Sequence, residues 1–391
     1  MSLYPSRSNA FPIQKTHVPF LSESPASRQG SSTPPQAHSL RLLLRFSSTS
    51  SKSPSFTVSY LVNSCGLSPE SALSASKLVK FETPSRPDVV IGVFKNRGFT
   101  PAQISHIVRR FPASLSSDPD KTLLPKINFF GSRGFSDLEL AKLVIAVPKI
   151  LGRSLEQHLV PTFHYISNLL QSDEKAIAAI GRAPRLLYED PQAEFVPEIM
   201  TLRSAGVPEK NIRHLVLYHG QIFWCRSLKF DETMNRVKAM GFDPSKLSFV
   251  MALHVIMGMS ESMWRRKIGV YGKWGWSEEV VVLAFRKYPL CMALSESKIT
   301  AAMDFFVNVL GLDSLVISQR PLALTFSLGK RIVPRGSVYQ VLLSEGLIKP
   351  CSLTALLAVS EKKFLEKFVT SNLGKAPQLL ALYNEKMGLA C

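Results

Sequence analysis

Lysine and arginine are the residues of this chain whose type and spacing point to chemistry. Forty-seven of them face twenty-nine Asp and Glu, a formal charge of +18 over 391 residues. Their placement is periodic. Arg110, Arg182 and Lys287 each stand two residues before a proline, and Lys149 and Arg185 each stand one after. Arg109, Arg286 and Arg320 fall beside them, while Arg153 and Arg226 come a few residues later. Arg265, Arg266 and Lys267 form a triplet, and Lys330, Arg331 and Arg335 extend the series toward the C-terminus. Cations repeated at one register neutralise the phosphates of a polyanion, and counterion release then supplies the sequence-independent part of binding. Arginine also reads guanine edges through two hydrogen bonds. A base in the last turn of a helix is favoured by the helix dipole alone, so the prediction rests on the shared register and not on any single residue. Trp224, Trp264, Trp274 and Trp276 have faces on which unpaired bases stack. Trp274 and Trp276 are expected instead to pack between units.

Other chemistries find no residues. Cys65, Cys225, Cys291, Cys351 and Cys391 lie far apart with no Cys-x-x-Cys, which excludes a disulfide scaffold and a zinc ribbon. Phosphate-loop, dinucleotide-binding, nucleophile-elbow and His-Glu-x-x-His patterns are missing from the sequence. His158 and His164 are six apart, His214 and His219 five apart, spacings that suit core or surface histidines better than ligands. Neither an enzyme, a metal nor a cofactor is expected.

The elements that position the cations are repeats. Pro112, Pro148 and Pro184 are spaced by 36, and so are Pro125, Pro161 and Pro197. Apolar residues keep the same beat: Ile104, Ile107, Val108 and Phe111, then Leu140, Leu143, Val144 and Val147, then Ile212, Leu215 and Val216. The i, i+3, i+4, i+7 spacing makes one stripe on a helix, not an alternating strand. Each stripe stops at a proline with an apolar residue three further on: Leu115, Leu151, Leu187, Met292 and Leu324. Gly220 stands in for proline once, with Phe223 at +3, and the unit around His254–Gly258 has none. Pro125, Pro161 and Pro197 are expected in the first turn of a second helix, where a missing N–H costs nothing. That helix is expected to close near Gly98, Gly134, Gly206, Gly241, Gly275 and Gly311 in left-handed caps. The expectation is an all-α solenoid of about seven units over 67–348, each two helices and a short 3-10 turn, stacked into one continuous core because no unit buries its stripe alone. Residues 47–66 are expected as a linker and 349–391 as a helical cap or tail. The uncharged stretch Leu247–Ser260 is too short to span a bilayer and is expected as a buried helix, with no membrane insertion.

Residues 1–55 have a different composition: fifteen Ser, six bases and one acid, Glu23. That is the composition of an organelle transit peptide, predicted over 1–46 with cleavage near Phe46 in the run Arg45-Phe46-Ser47-Ser48. Mitochondrion is favoured over chloroplast. The bases of the leader do not account for the charge of the rest.

The blocks Trp274-Gly275-Trp276-Ser277-Glu278-Glu279, Ala284-Phe285-Arg286-Lys287-Tyr288-Pro289-Leu290-Cys291-Met292 and Lys330-Arg331-Ile332-Val333-Pro334-Arg335 make the chain resemble the mitochondrial transcription termination factor (mTERF) family, in its plant organellar branch. Gly329 departs from the acid usual there. The resemblance implies a superhelix of helical triads with a basic nucleic-acid-binding groove. It implies action in organelle gene expression: transcription termination or regulation on double-stranded DNA, or alternatively intron splicing or ribosomal RNA maturation on structured RNA. Organellar transcription or splicing proteins are possible partners, and a monomer is expected. A helical scaffold for an acidic protein partner is the competing reading.

Overall fold

The computed structural model describes residues 55–224 and 227–388. The predicted leader, its cleavage position and Arg226 lie outside the described residues.

Every described element is helical. Eight first helices recur: Pro69–Ala75, Pro101–Arg110, Asp137–Ala146, Asp173–Arg182, Glu209–His219, Leu247–Met257, Glu278–Lys287 and Ser314–Ser318. The count is therefore one more than expected. Each packs on the next, so they form one layer of like-directed helices. Polar side chains cap six of the eight, and Thr100 with Gln103 and Ser136 with Glu139 make reciprocal capping boxes. The residue before the proline ends them. Phe111, Val147, Ala183 and Arg320 all sit near φ −140°, ψ 70°, because the proline ring excludes the helical conformation from its predecessor. Short turns follow at Pro112–Ser116, Pro148–Gly152, Arg185–Tyr188, Gly220–Trp224, Pro289–Ala293 and Pro321–Thr325. The apolar residue at +3 is buried in every one, Leu115, Leu187, Phe223, Met292 and Leu324 completely. At Gly220 a Cβ would stand 2.8 Å from Leu186 Cδ1 and 3.3 Å from Ala183 Cβ, so any larger residue there requires Leu186 of the preceding unit's turn to shift. Between Leu247–Met257 and Glu261–Gly272 the proline is lost and so is the turn.

All six predicted glycines have positive φ, joined by Gly66 and Gly346. Gln171 holds the same left-handed position in the one unit without glycine. Second helices begin earlier than expected, at N-caps Asp118, Ser154, Asp190 and Ser327. Pro125, Pro161 and Pro334 therefore stand a turn inside a continuous helix. The segments just before them, Pro119–Leu123, Leu155–Leu159 and Leu328–Ile332, are wound as π-helix. A proline ring clashes with the carbonyl four residues back in an α-helix, and the wider π turn moves that carbonyl away. The proline still costs little, through local rewinding and not through its place at the start.

Two segments outside 67–348 belong to the stack. Phe56–Asn63, within the expected linker, is a helix that buries Tyr60 and Leu61. Leu379–Lys386 covers the last full-length helix, Val333–Ser344. Leu247–Met257 is the buried apolar helix expected. Among the described residues no single helix is long and apolar enough to cross a membrane.

Candidate nucleic-acid interface

The ends of the first helices and their proline turns line up along one edge of the layer. Corresponding side chains of neighbouring units touch there. Arg182 lies 5.1 Å from the ring centre of Tyr218, Arg153 4.4 Å from Tyr188, and Arg185 5.2 Å from Trp224. Lys287 donates to Gln319 of the next unit. A cleft of about 570 Å³ brings Lys287 and Arg320 together, and another of about 410 Å³ joins Lys246, Arg286 and Lys287.

Along the first helices acids are confined to the start. Acids occupy first turns: Asp137 and Glu139, Asp173 and Glu174, Glu209, Glu278 and Glu279. The stretches 105–117, 145–153, 181–188, 217–224, 285–294 and 318–326 contain no Asp or Glu, yet hold nine Lys and Arg. The dipole favours this arrangement, but the pairing shows a second difference. On the glycine edge bases meet acids: Arg97 with Asp137 at 3.6 Å, Arg133 with Asp173 at 3.8 Å, Arg203 with Glu209 at 2.6 Å. On the proline edge Arg185 pairs with Glu189. Arg109, Arg110, Lys149, Arg153, Arg182, Arg286, Lys287 and Arg320 have no acidic partner among the described residues, and all but the half-buried Arg153 are exposed.

The remaining candidates divide. Lys330 is exposed, and Arg331 lies 5.2 Å from the Phe326 ring centre. Arg265 and Arg266 are exposed but engaged, with Glu261 at 3.3 Å and Glu296 at 3.1 Å. Lys267 is not a contact residue: it is buried, and its Nζ donates to the carbonyls of Met292 at 2.7 Å and Leu294 at 2.5 Å. Arg335 is completely buried, donating to the carbonyls of Leu356, Leu357 and Val359 and pairing with Glu361 at 2.9 Å. Both charged ends are spent on internal acceptors.

Both belong to a set that sequence reasoning missed. Lys126 donates to Leu151 O, Lys298 to Thr325 O at 2.8 Å, Lys229 to Met257 O at 3.5 Å, and His158 Nε2 lies 3.2 Å from Leu187 O. Each time a second helix reaches the end of the next unit's turn or first helix. Leu151, Leu187 and Met292 are the apolar +3 residues themselves, so one residue anchors the turn by its side chain and the junction by its carbonyl. These staples tie unit to unit and hold the turns that carry the exposed cations. Burial holds the Lys126 and Lys267 ammonium groups below their ordinary range.

Of the two tryptophans expected to pack between units, Trp276 does so, and Trp274 is partly buried against the core. Trp276 stacks on Tyr271 at 4.6 Å and donates Nε1 to Ser314 O of the next unit. Trp264 is buried against Phe285. Trp224 is half-buried on the proline edge beneath Arg185. His214, expected as core or surface, lies near His219, which stacks on His254 with ring centres 3.8 Å apart. Burial depresses the His219 imidazole to about 4. No group of three or more metal-ligating side chains converges among the described residues.

The chain matches the mTERF family profile over residues 91–316 and again over 248–365. No curated protein matches it in sequence. The two profile matches together cover well over half of the chain and coincide with the proline-punctuated stack; the chain belongs to the mTERF family.

Proposed function

We propose that this chain binds nucleic acid along its proline-turn edge and regulates gene expression in an organelle, by binding double-stranded DNA in transcription termination or regulation. The family is one of nucleic-acid-binding regulators and not of enzymes, and the proposal gives this member a surface. The observation that carries it is the unequal pairing of cations: Arg97, Arg133 and Arg203 meet acids on the glycine edge, while along the proline edge every base but Arg185 is without an acidic partner among the described residues. Eight bases without an acidic partner among the described residues form a track for phosphates.

The test is a salt series. Replacing Arg110, Arg182 and Lys287 together by Gln should lower the slope of log affinity against log salt by up to about three, roughly one per lost phosphate contact. An unchanged slope removes this edge from the interface. Salt-insensitive binding to a protein, with no retention of nucleic acid, favours the scaffold reading.

RNA is the second reading, and one observation favours it. Arg153, Arg182 and Arg185 each lie over an aromatic ring of the following unit. Tyr218 is 45% exposed, a face on which an unpaired base stacks. Competition between a duplex and a single strand of the same sequence decides between the two.

Import into mitochondria, with chloroplasts as the alternative, is supported by the Ser-rich, acid-poor composition of residues 1–55. A fluorescent reporter fused to residues 1–60 should enter the organelle; a reporter left in the cytosol refutes the address.

A further inference from the structure

At the amino-terminal end of the stack, a cleft of about 630 Å³ opens between Phe56–Asn63, Ser85–Asn96 and Pro101–Arg110. Its lining has two characters. Ile91, Pro101, Ala102 and Ile104 supply apolar surface, while Lys95, His106 and Arg109 supply nitrogen donors. The hydroxyl-bearing Ser64 and Ser105 complete the polar part. Arg109 Nη2 lies 3.5 Å from His106 Nδ1, so the guanidinium is held at the cleft. No carboxylate lines it. Asp88, whose charge acts on the neighbouring Cys65 thiol, accepts a hydrogen bond from the Tyr60 hydroxyl.

Lys95 and Arg109 have no acidic partner among the described residues, although Arg97, two residues past Lys95, pairs with Asp137. Two unpaired cations beside an apolar wall, in a volume suited to a small organic ligand, fit an anion with an organic body. A phosphomonoester carries close to two negative charges at neutral pH, against the single charge of a backbone phosphodiester.

We propose that this cleft binds a phosphomonoester, with Lys95 on the phosphate, Ile91, Pro101 and Ile104 against its organic part, and Arg109 at the end of the cleft that meets the proline edge. The proposal rests in part on the reading of the proline edge, because Arg109 belongs to both. A polynucleotide lying along that edge reaches the cleft at the first proline turn. Its terminal phosphate is one source of the ligand, and a free mononucleotide is the other.

The experiment uses the full chain. Affinities are measured for one oligonucleotide with hydroxyl ends, with a 5′-phosphate and with a 3′-phosphate. Adenosine monophosphate and inorganic phosphate are titrated separately. A terminal phosphate should raise affinity about tenfold, the scale of one charged hydrogen bond. Lys95→Gln should abolish that increment and leave the hydroxyl-ended oligonucleotide bound as before, since Lys95 lies off the proline edge. Unaltered thermal unfolding of the variant verifies its fold. Binding of adenosine monophosphate, competed by the phosphorylated end and lost in Lys95→Gln, supports the free-nucleotide source. Equal affinity for all three ends together with no binding of adenosine monophosphate overturns the cleft while leaving the edge intact. Adenosine monophosphate bound and no oligonucleotide retained upholds the cleft and overturns the edge. Inorganic phosphate binding as tightly as the nucleotide overturns the role of the apolar wall.

Discussion

Lys267 and Lys287 have the same side chain and opposite duties. Lys287 stands at the exposed end of a first helix, and Lys267 lies inside the apolar stripe Trp264, Val270 and Tyr271 of a second helix. The stripe carries the Lys267 stem inward until its ammonium meets two carbonyls at the end of the next turn. Removing the donor leaves those carbonyls short of a partner in a buried junction, at a cost of about 1–3 kcal/mol. Lys267→Ala should therefore lower the unfolding midpoint by several degrees while leaving the salt dependence of nucleic-acid binding unchanged. Lys287→Gln should do the reverse. A Lys267→Ala protein with native stability and a reduced salt slope would return this residue to the interface. The distinction was legible in the pattern, though not in the charge. Lys126 follows Leu123 by three and precedes Phe130 by four, and Arg335 follows Ile332 by three and precedes Leu342 by seven. A base that takes a stripe position is carried into the core whatever its composition suggests. Arg110, Arg182 and Lys287 fall off their stripes and stay outside.

At the scale of the element, the sequence spelled out what proline and glycine dictate by local sterics. The stop before Pro112, Pro148, Pro184 and Pro321 follows from a clash between neighbours in the chain, and the glycine caps follow from a missing Cβ. Both are independent of the rest of the molecule, so a period of 36 could be read without coordinates. The π-wound starts of the second helices could not. Pro161 in a first turn and Pro161 behind a π turn satisfy the same local rule, and the extra turn from Ser154 forms because Leu159 is buried completely. Gln171 shows the same limit. A left-handed glutamine is unfavourable by itself, and the spacing of the flanking helices holds it where the other units of this chain carry glycine. Sequence reasoning leaves Phe56–Asn63 in the linker for a related reason: eight residues hold too little of a stripe to declare a helix, and Tyr60 and Leu61 find their partners only in the folded stack.

Across the whole molecule each unit leans on the next, so the last unit depends on what covers it. Arg335 has no acceptor within its own helix, and its partners Leu356, Leu357, Val359 and Glu361 all follow Gly346. The same segment covers the buried Val338, Tyr339 and Leu342 of Val333–Ser344. Ending the chain after residue 348 strips a guanidinium of every bond it makes and opens an apolar face. Losing the partners of a buried ion costs about 3–5 kcal/mol, a large share of what holds one repeat to the stack. Stability in such arrays passes between nearest neighbours, so the damage should stay local. Hydrogen exchange should show the amides of 314–344 losing protection, with those of 101–204 keeping theirs. Nucleic-acid binding should persist with a salt slope smaller by up to about two, because Arg320 and Lys330 are no longer held on the edge. Uniform loss of protection from end to end would mean that the units fold as one cooperative body, and unchanged protection at 314–344 would mean that the C-terminal helices cap nothing.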